Sequence, residues 1–378
     1  MKKYTILGDL ITPAKVVRCG KGNYPVLSMT MHDGIVLQSD RFKKSLASAD
    51  QSDYKVVEYG KLVIGFPIDE GVLYIQKVAP EGIMSPAYST WDVDTTRINP
   101  DFLELCLHSP QSMQYYKDKL RSTTARRRSI PTADLLALRI RTPDMESQLE
   151  AVAVARKVDE MIAIRHAQAT LLDQLVKSRF IELFGAITET VPLSYYIEAL
   201  NAGKSLAGEE ECPNKVLKTG ATTYDYFDAT QVKNLPDDYE PLEDHRIKTG
   251  DVIISRMNTA ELVGAAAYVW EAPERTYLPD RLWKAEIKET ACPIFIWQVL
   301  IQSSTKERIR QIASGTSGSM KNISKPGLLG IRVKKVDLAA QEQFAAFVAQ
   351  TDKSKLAVQQ GLKELEILKK SLMQQYFG

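Results

Sequence analysis

No stretch of the 378 residues reaches the roughly 20 consecutive apolar positions that a membrane span needs. At the start, MKKYTILGDLITP, two lysines precede an apolar run that breaks at Gly8 and Asp9, too early for a secretory signal. Cysteine is scarce: Cys19, Cys106, Cys212 and Cys292 lie far apart with no C-x-x-C pair, which argues against a disulfide framework and against a zinc site of usual spacing. A reduced, cytoplasmic setting is the expectation. Histidine is equally sparse, with His32, His108, His166 and His245 dispersed and no H-x-x-x-H spacing; no serine or cysteine sits in a recognised nucleophile setting, and no G-x-G-x-x-G follows a strand. Neither sign of charge dominates: 49 basic and 47 acidic residues leave +2, so a nucleic-acid partner would be held by local basic patches. With 44% apolar and 25% charged residues the composition is that of an ordinary globular protein, long enough for two or three domains.

What is present is an internal repeat. Residues 129–185 align without gaps on residues 322–378 at an offset of 193, with 14 identities in 57 positions. They include Leu135/Leu328, Leu136/Leu329, Arg139/Arg332, Asp144/Asp337, Gln148/Gln341, Leu172/Leu365, Lys177/Lys370, Ser178/Ser371 and Phe184-Gly185/Phe377-Gly378. Upstream, from 86 to 128, the same offset retains only 5 identities in 43 positions. Two copies of one fold are expected, their connecting parts kept and their globular parts diverged.

Each kept segment reads alike. LLALRIRTP and LLGIRVKKV alternate apolar and polar residues as a half-buried strand does, and Asp144 or Asp337 follows where a helix cap belongs. A helix of about 36 residues, roughly 55 Å, comes next. Phe344, Val348, Thr351, Val358, Leu362, Leu365, Leu372 and Tyr376 recur at coiled-coil spacing, interrupted by Lys355 and Lys369; Ala151, Ala155, Val158, Ile162, Ala169, Leu172, Val176 and Leu183 repeat the pattern, interrupted by Arg165 and Arg179. A stripe that long must be covered, and the other copy is the natural partner, antiparallel under an approximate two-fold axis.

The globular fronts mix short β-type runs, YPVLSMTM at 24–31, KLVIGF at 61–66, DVIISRM at 251–257 and GAAAYVW at 264–270, with amphipathic stretches such as PDFLELCLHSPQSMQYYKDKL and PIFIWQVLIQSSTKERIRQIA. An α+β fold is expected. The joint AITETVP, residues 186–192, reads as a turn.

Two fragments imitate chemistry. Gly203-Lys204-Ser205 resembles the tail of a phosphate loop, but Glu198 stands where that pattern needs glycine. Pro279-Asp280 followed by Glu286-Ile287-Lys288 imitates the acid-acid-lysine set with which many nucleases hold a metal beside the attacked phosphate, though only five residues separate the parts. Basic loops point elsewhere. Arg126, Arg127 and Arg128 precede a predicted strand, and their counterpart in the second copy is Ser319-Met320-Lys321; Arg41, Lys43 and Lys44 follow a predicted strand and turn. Arginine and lysine beside Ser, Thr and Asn suit phosphates and base edges.

The duplicated strand-turn-glutamine-helix module, IRTPDMESQ into LLDQLVKSRFIELFG and IRVKKVDLAAQEQ into LEILKKSLMQQYFG, together with TGDVIISRMNTAELVGAAAYV at 249–269, resembles the specificity subunit of type I restriction-modification systems over nearly the whole chain. The 249–269 segment is similar to the G-D-x-x-x-[ST]-R core of many target-recognition domains in that family; its match in the first half, YGKLVIGFPIDEG, keeps Gly60 and lacks the arginine. The resemblance implies target-recognition domains at 1–143 and 190–336, spacer helices at 144–185 and 337–378, and a pseudo-two-fold coiled coil. It implies a non-catalytic subunit whose domains each read one half of a bipartite double-stranded DNA target. Arg41, Lys43, Lys44, Arg126, Arg127, Arg128, Arg256, Asn258, Arg281 and Lys321 are the residues expected at DNA. The helices would set the half-site spacing and dock two methyltransferase subunits through Gln148, Lys177, Phe184, Gln341, Lys370 and Phe377, with restriction subunits recruited to the assembly. S-adenosylmethionine, ATP and Mg²⁺ are expected in those partners and no cofactor in this chain. Two other classes stay open: a stand-alone nuclease using Asp280, Glu286 and Lys288, and a coiled-coil adaptor.

Overall fold

The computed structural model describes residues 4–31, 33–41, 50–120, 128–315 and 320–377. It divides into two compact units, Met1–Ala167 with Gln359–Gly378, and Gln168–Val358. Each unit therefore combines a globular head with stretches of both long helices.

In the first unit a four-stranded antiparallel sheet runs in the order Ile11–Pro13, Ser89–Val93, Leu62–Ile64, Leu73–Ile75. Two helices, Pro100–Leu107 and Pro110–Lys119, follow the second of these strands. The expected single amphipathic stretch breaks at His108 because Ser109 caps a new helix, its hydroxyl accepting from the Ser112 N–H, and Pro110 takes the first turn, where no N–H is needed. The core gathers Leu62, Leu73, Phe102, Leu103 and Tyr116. A second antiparallel sheet joins Val17–Arg18, Lys55–Glu58 and Glu81–Met84.

In the second unit the corresponding sheet has the order Ile197–Ala202, Leu282–Ile287, Val252–Ser255, Ala266–Tyr268, again antiparallel. Helices Pro293–Ile301 and Ser303–Ile312 follow, starting 193 residues after their counterparts. So the heads share strand order and helix placement although the sequence repeat between them falls to background. The difference lies in the smaller sheet: Lys215–Leu217 here pairs antiparallel with Val232–Asn234 and parallel with Thr276–Tyr277.

The kept module is resolved in both units. The apolar pair before the strand belongs to a short helix, Thr132–Leu136 or Lys325–Leu329, and the strand itself is confined to Arg139–Arg141 or Arg332–Lys334. Each strand pairs with the chain that leads into its head, Tyr4–Ile6 or Thr190–Pro192. The joint read as a turn thus ends in a strand: Val191 faces Val333 in the register. Asp144 and Asp337 do cap the long helices, each carboxylate accepting an N–H at 2.9 Å, from Ser147 and Ala340.

Both long helices have 40 residues, Met145–Phe184 and Leu338–Phe377, four more than the periodicity suggests. Within the first unit they pack antiparallel: Asp159 pairs with Lys369 at 2.7 Å, and Phe377 lies 5.2 Å from Phe102 in the core that also holds Ala151 and Val152. Within the second they do so again, with Asp173 to Lys355 at 2.6 Å and Phe184 5.5 Å from Phe344. The two lysines that interrupt the apolar seam are therefore satisfied by an aspartate of the other helix. Phe184 and Phe377 are buried, each worth about 1.5–3 kcal/mol relative to exposure.

Candidate nucleic-acid interface

Four of the sequence-predicted residues meet in the second unit. Gly250, at φ +95°, and Asp251, whose carboxylate accepts the Lys248 N–H at 2.8 Å, close the turn that starts strand Val252–Ser255. Burial pushes the Asp251 carboxyl up, against the pull of Lys248 and Lys284. The glycine-aspartate pair thus builds the strand, and the arginine of the motif comes at its far end.

There Arg256 has no carboxylate partner among the described residues. Its Nε donates to Asn322 Oδ1 at 3.4 Å, one terminal nitrogen reaches the Asp280 carbonyl at 3.5 Å, and its guanidinium lies 5.9 Å from the Trp283 ring centre. Its N–H donates to the carbonyl of Arg281, an exposed residue. Met257–Asn258 pairs with Lys321–Asn322, setting Asn258 opposite Lys321, whose ammonium donates to the Gly315 carbonyl at 2.7 Å. A cleft of about 490 Å³ adjoins them, lined by Ala260, Glu261, Arg310, Ala313 and Lys321. Arg256, Asn258, Arg281 and Lys321 therefore form one basic edge, to which Asn322 and Arg310 belong as well. The sequence reading missed those two. Asn322 could have been found as the residue beside Lys321 in GTSGSMKN; Arg310 carries no local signal, because its place depends on how helix Ser303–Ile312 packs.

In the first unit two of the expected residues have carboxylate partners within the chain. Arg128 donates to Asp69 at 2.9 Å and also to Glu70, and Arg41 pairs with Asp33, so both guanidiniums are already neutralised. A phosphate would have to displace those carboxylates. The reason was invisible locally, since Asp69 and Glu70 lie nearly sixty residues from Arg128. Lys43, Lys44, Arg126 and Arg127 lie outside the described residues.

The acid-acid-lysine imitation is not assembled. Asp280 lies two residues before strand Leu282–Ile287 and Glu286 near its far end, about 20 Å apart at roughly 3.3 Å per residue. Asp280 is bonded to the Ser205 hydroxyl, Glu286 accepts from Asn201 at 3.3 Å, and Lys288 donates to the Ser194 carbonyl at 2.9 Å. Gly203 beside them is there for close approach: its N–H reaches the Pro279 carbonyl at 3.0 Å, and a Cβ would fall 1.8 Å from the Leu278 carbonyl oxygen. Among the described residues no three His, Cys, Asp or Glu side chains are grouped so as to hold a metal, all four cysteines are free, and no helix is long and apolar enough to cross a membrane.

No protein-family model matches the chain, and no curated protein matches its sequence. Solved structures do. A chain from a type I R-M system, described for its complex assembly and conformational transition, superposes with a TM-score of 0.60 at 14% identity, covering 99% of this chain and 97% of that one. The type I restriction-modification S subunit from M. genitalium gives 0.57 at 15% identity, covering 100% and 96%.

The chain has the fold of a type I restriction-modification S subunit.

On this S-subunit fold the residues expected at a partner interface divide sharply. Gln148 is buried, its amide oxygen accepting the Asn99 N–H at 2.8 Å and its nitrogen donating to Pro143 and Arg97 carbonyls at 2.9 and 3.2 Å. Gln341 repeats the arrangement, accepting from Cys292 at 2.9 Å and donating to Val336 at 2.8 Å. Each ties the first turn of a long helix to the start of a head helix, at positions again offset by 193. With Phe184 and Phe377 in the cores, these four serve the interior of their own chain. Lys177 and Lys370 are exposed.

Proposed function

We propose that this chain is the DNA sequence-specificity subunit of a type I restriction-modification complex in the cytoplasm, itself without a catalytic step. Each head reads one half of a bipartite double-stranded DNA target, and the long helices set the spacing of the halves and dock two methyltransferase subunits. S-adenosylmethionine, ATP and Mg²⁺ belong to the methyltransferase and restriction partners. One observation carries this reading: two heads whose main sheets share one strand order, each clamped to a long helix by an equivalent buried glutamine, differ in their smaller sheets. Like frames with unlike smaller sheets suit two unlike half-sites. In the second head the DNA-facing set is Arg256, Asn258, Arg281, Lys321, Asn322 and Arg310, where arginine can take guanine, asparagine adenine, and the remaining cations phosphate.

The test is a map of methylated positions in DNA exposed to the chain together with its methyltransferase subunits. A single two-part motif is expected, and exchanging residues 190–336 for another head should alter one half alone. Methylation without a motif, or an unchanged motif after the exchange, refutes the assignment.

A further inference from the structure

The second unit holds a cavity of about 200 Å³ that no DNA-facing residue lines. One water needs roughly 10–15 Å³, so the space admits a whole side chain. Its walls come from three elements: Asp173, Val176 and Lys177 on the first long helix, Thr351, Asp352 and Lys355 on the second, and Trp297 with Gln298 on the head helix. Tyr224 and Tyr226 line it as well.

Two of the three carboxylates that line it are paired. Lys355 is held by Asp173 at 2.6 Å, and Asp225 is paired with Lys306. Asp352 is left over: among the described residues no hydrogen bond or ion pair reaches its carboxylate, and burial pushes its carboxyl up despite nearby Lys355. The other copy of the repeat provides an internal comparison. Asp159, the residue matching Asp352 at the 193 offset, has Lys369 at 2.7 Å; the position matching Lys369 is Val176. The aspartate is kept and its cation is missing. Lys177, the next residue, is exposed at the rim.

The tyrosines are placed with equal care. Asp225 between them adopts φ +63°, costly for a residue with a side chain, and is pinned there by Lys306, by the Ala266 N–H at 3.3 Å, and by Trp297 Nε1 donating to its carbonyl at 3.0 Å. That turn leaves Tyr224 and Tyr226 75% and 51% exposed, with rings 6.1 Å apart and 15° from parallel. Exposed stacked aromatics beside an unpaired, half-buried carboxylate match one group best, a planar cation that can stack and accept a bidentate carboxylate.

We propose that this cavity receives an arginine side chain from a protein partner, with Asp352 accepting from the guanidinium and Tyr224 and Tyr226 flanking it. A nucleic-acid phosphate would meet three carboxylates here, whereas arginine and tyrosine are both enriched among the anchors of protein interfaces. The inference does not depend on DNA reading.

Calorimetric titration of the whole chain with N-acetyl-L-argininamide tests it, with N-acetyl-L-lysinamide and free L-arginine as comparisons. Saturable binding of the blocked arginine is expected, at least fivefold tighter than the lysine compound. Asp352→Asn should weaken it at least tenfold without lowering the melting temperature, and the exposed-site variants Tyr224→Ala and Tyr226→Ala should each weaken it severalfold. No binding, or equal binding by Asp352→Asn or by the lysine compound, overturns the proposal. Free L-arginine binding tenfold better than the blocked form would also overturn it, by making the occupant a metabolite.

Discussion

Replacing Gln148 by alanine removes a side chain whose only neighbours of consequence are backbone groups. Three contacts are lost: the acceptor for the Asn99 N–H and the donor to the Pro143 and Arg97 carbonyls. In water these groups would be solvated, but Gln148 is 1% exposed, so the orphaned N–H and carbonyls stay dry. A net hydrogen bond is worth about 1 kcal/mol, and a buried polar group left unpaired costs about 1–3 kcal/mol. Gln148→Ala should therefore destabilise the first unit by about 3 kcal/mol. Gln341, with two contacts, should cost about 2 kcal/mol on the same scale, in the second unit. For units near 190 residues each kcal/mol corresponds to roughly 2–4 °C in Tm. Differential scanning calorimetry of wild type and both variants reads this directly. Because the glutamines serve different units, each variant should move a different part of the unfolding profile. If Gln148→Ala shifts Tm by less than about 2 °C, or if both variants move the same transition equally, the glutamine is not a structural clamp and its presence in both copies needs another cause.

Gly361, in the middle of the second long helix, has open space for a methyl group, the nearest atoms being the Arg165 guanidinium at 3.6 Å or more. Gly361→Ala should stabilise by about 1 kcal/mol through helix propensity, seen as a higher midpoint in urea; a loss of stability would mean that Arg165 cannot yield. At DNA, Arg256→Ala should alter the recognised half-site or, if the contact is to phosphate, flatten the slope of log affinity against log salt by about 0.9, while Arg128→Ala leaves that slope unchanged because Asp69 and Glu70 already neutralise it. Equal effects of the two would remove the distinction between free and paired arginines. The Asp352 carboxyl is raised in the fold above its ordinary 3.8, so the folded chain holds this proton more tightly than the unfolded one. Stability from this source is present below 3.8 and is lost as pH rises through the raised value. Asp173, Lys177 and Asp225 around the cavity and Lys355 on the same helix complete its charged surroundings. Asp352→Asn should then gain stability relative to wild type above that window and none below it; a gain confined to low pH contradicts the sign.

The sequence by itself determined the duplication, the two capped helices and their apolar seam. These are local or periodic signals, carried by identical residues at a constant offset, and nothing distant can change where Asp144 or Asp337 caps. It also determined that Arg256, Asn258 and Lys321 were candidates for one purpose, though not that strand pairing would set Asn258 opposite Lys321. Tertiary structure alone decided which charges remain free. Arg128 and Arg41 looked as available as Arg256 until Asp69, Glu70 and Asp33 arrived from elsewhere in the chain, and the glutamines and phenylalanines kept in both copies looked like contact residues until they proved to be buried. The common strand order of the heads was hidden for a related reason. A sheet's order constrains burial and pairing, which many sequences satisfy, so the heads could lose nearly all identity and still fold alike.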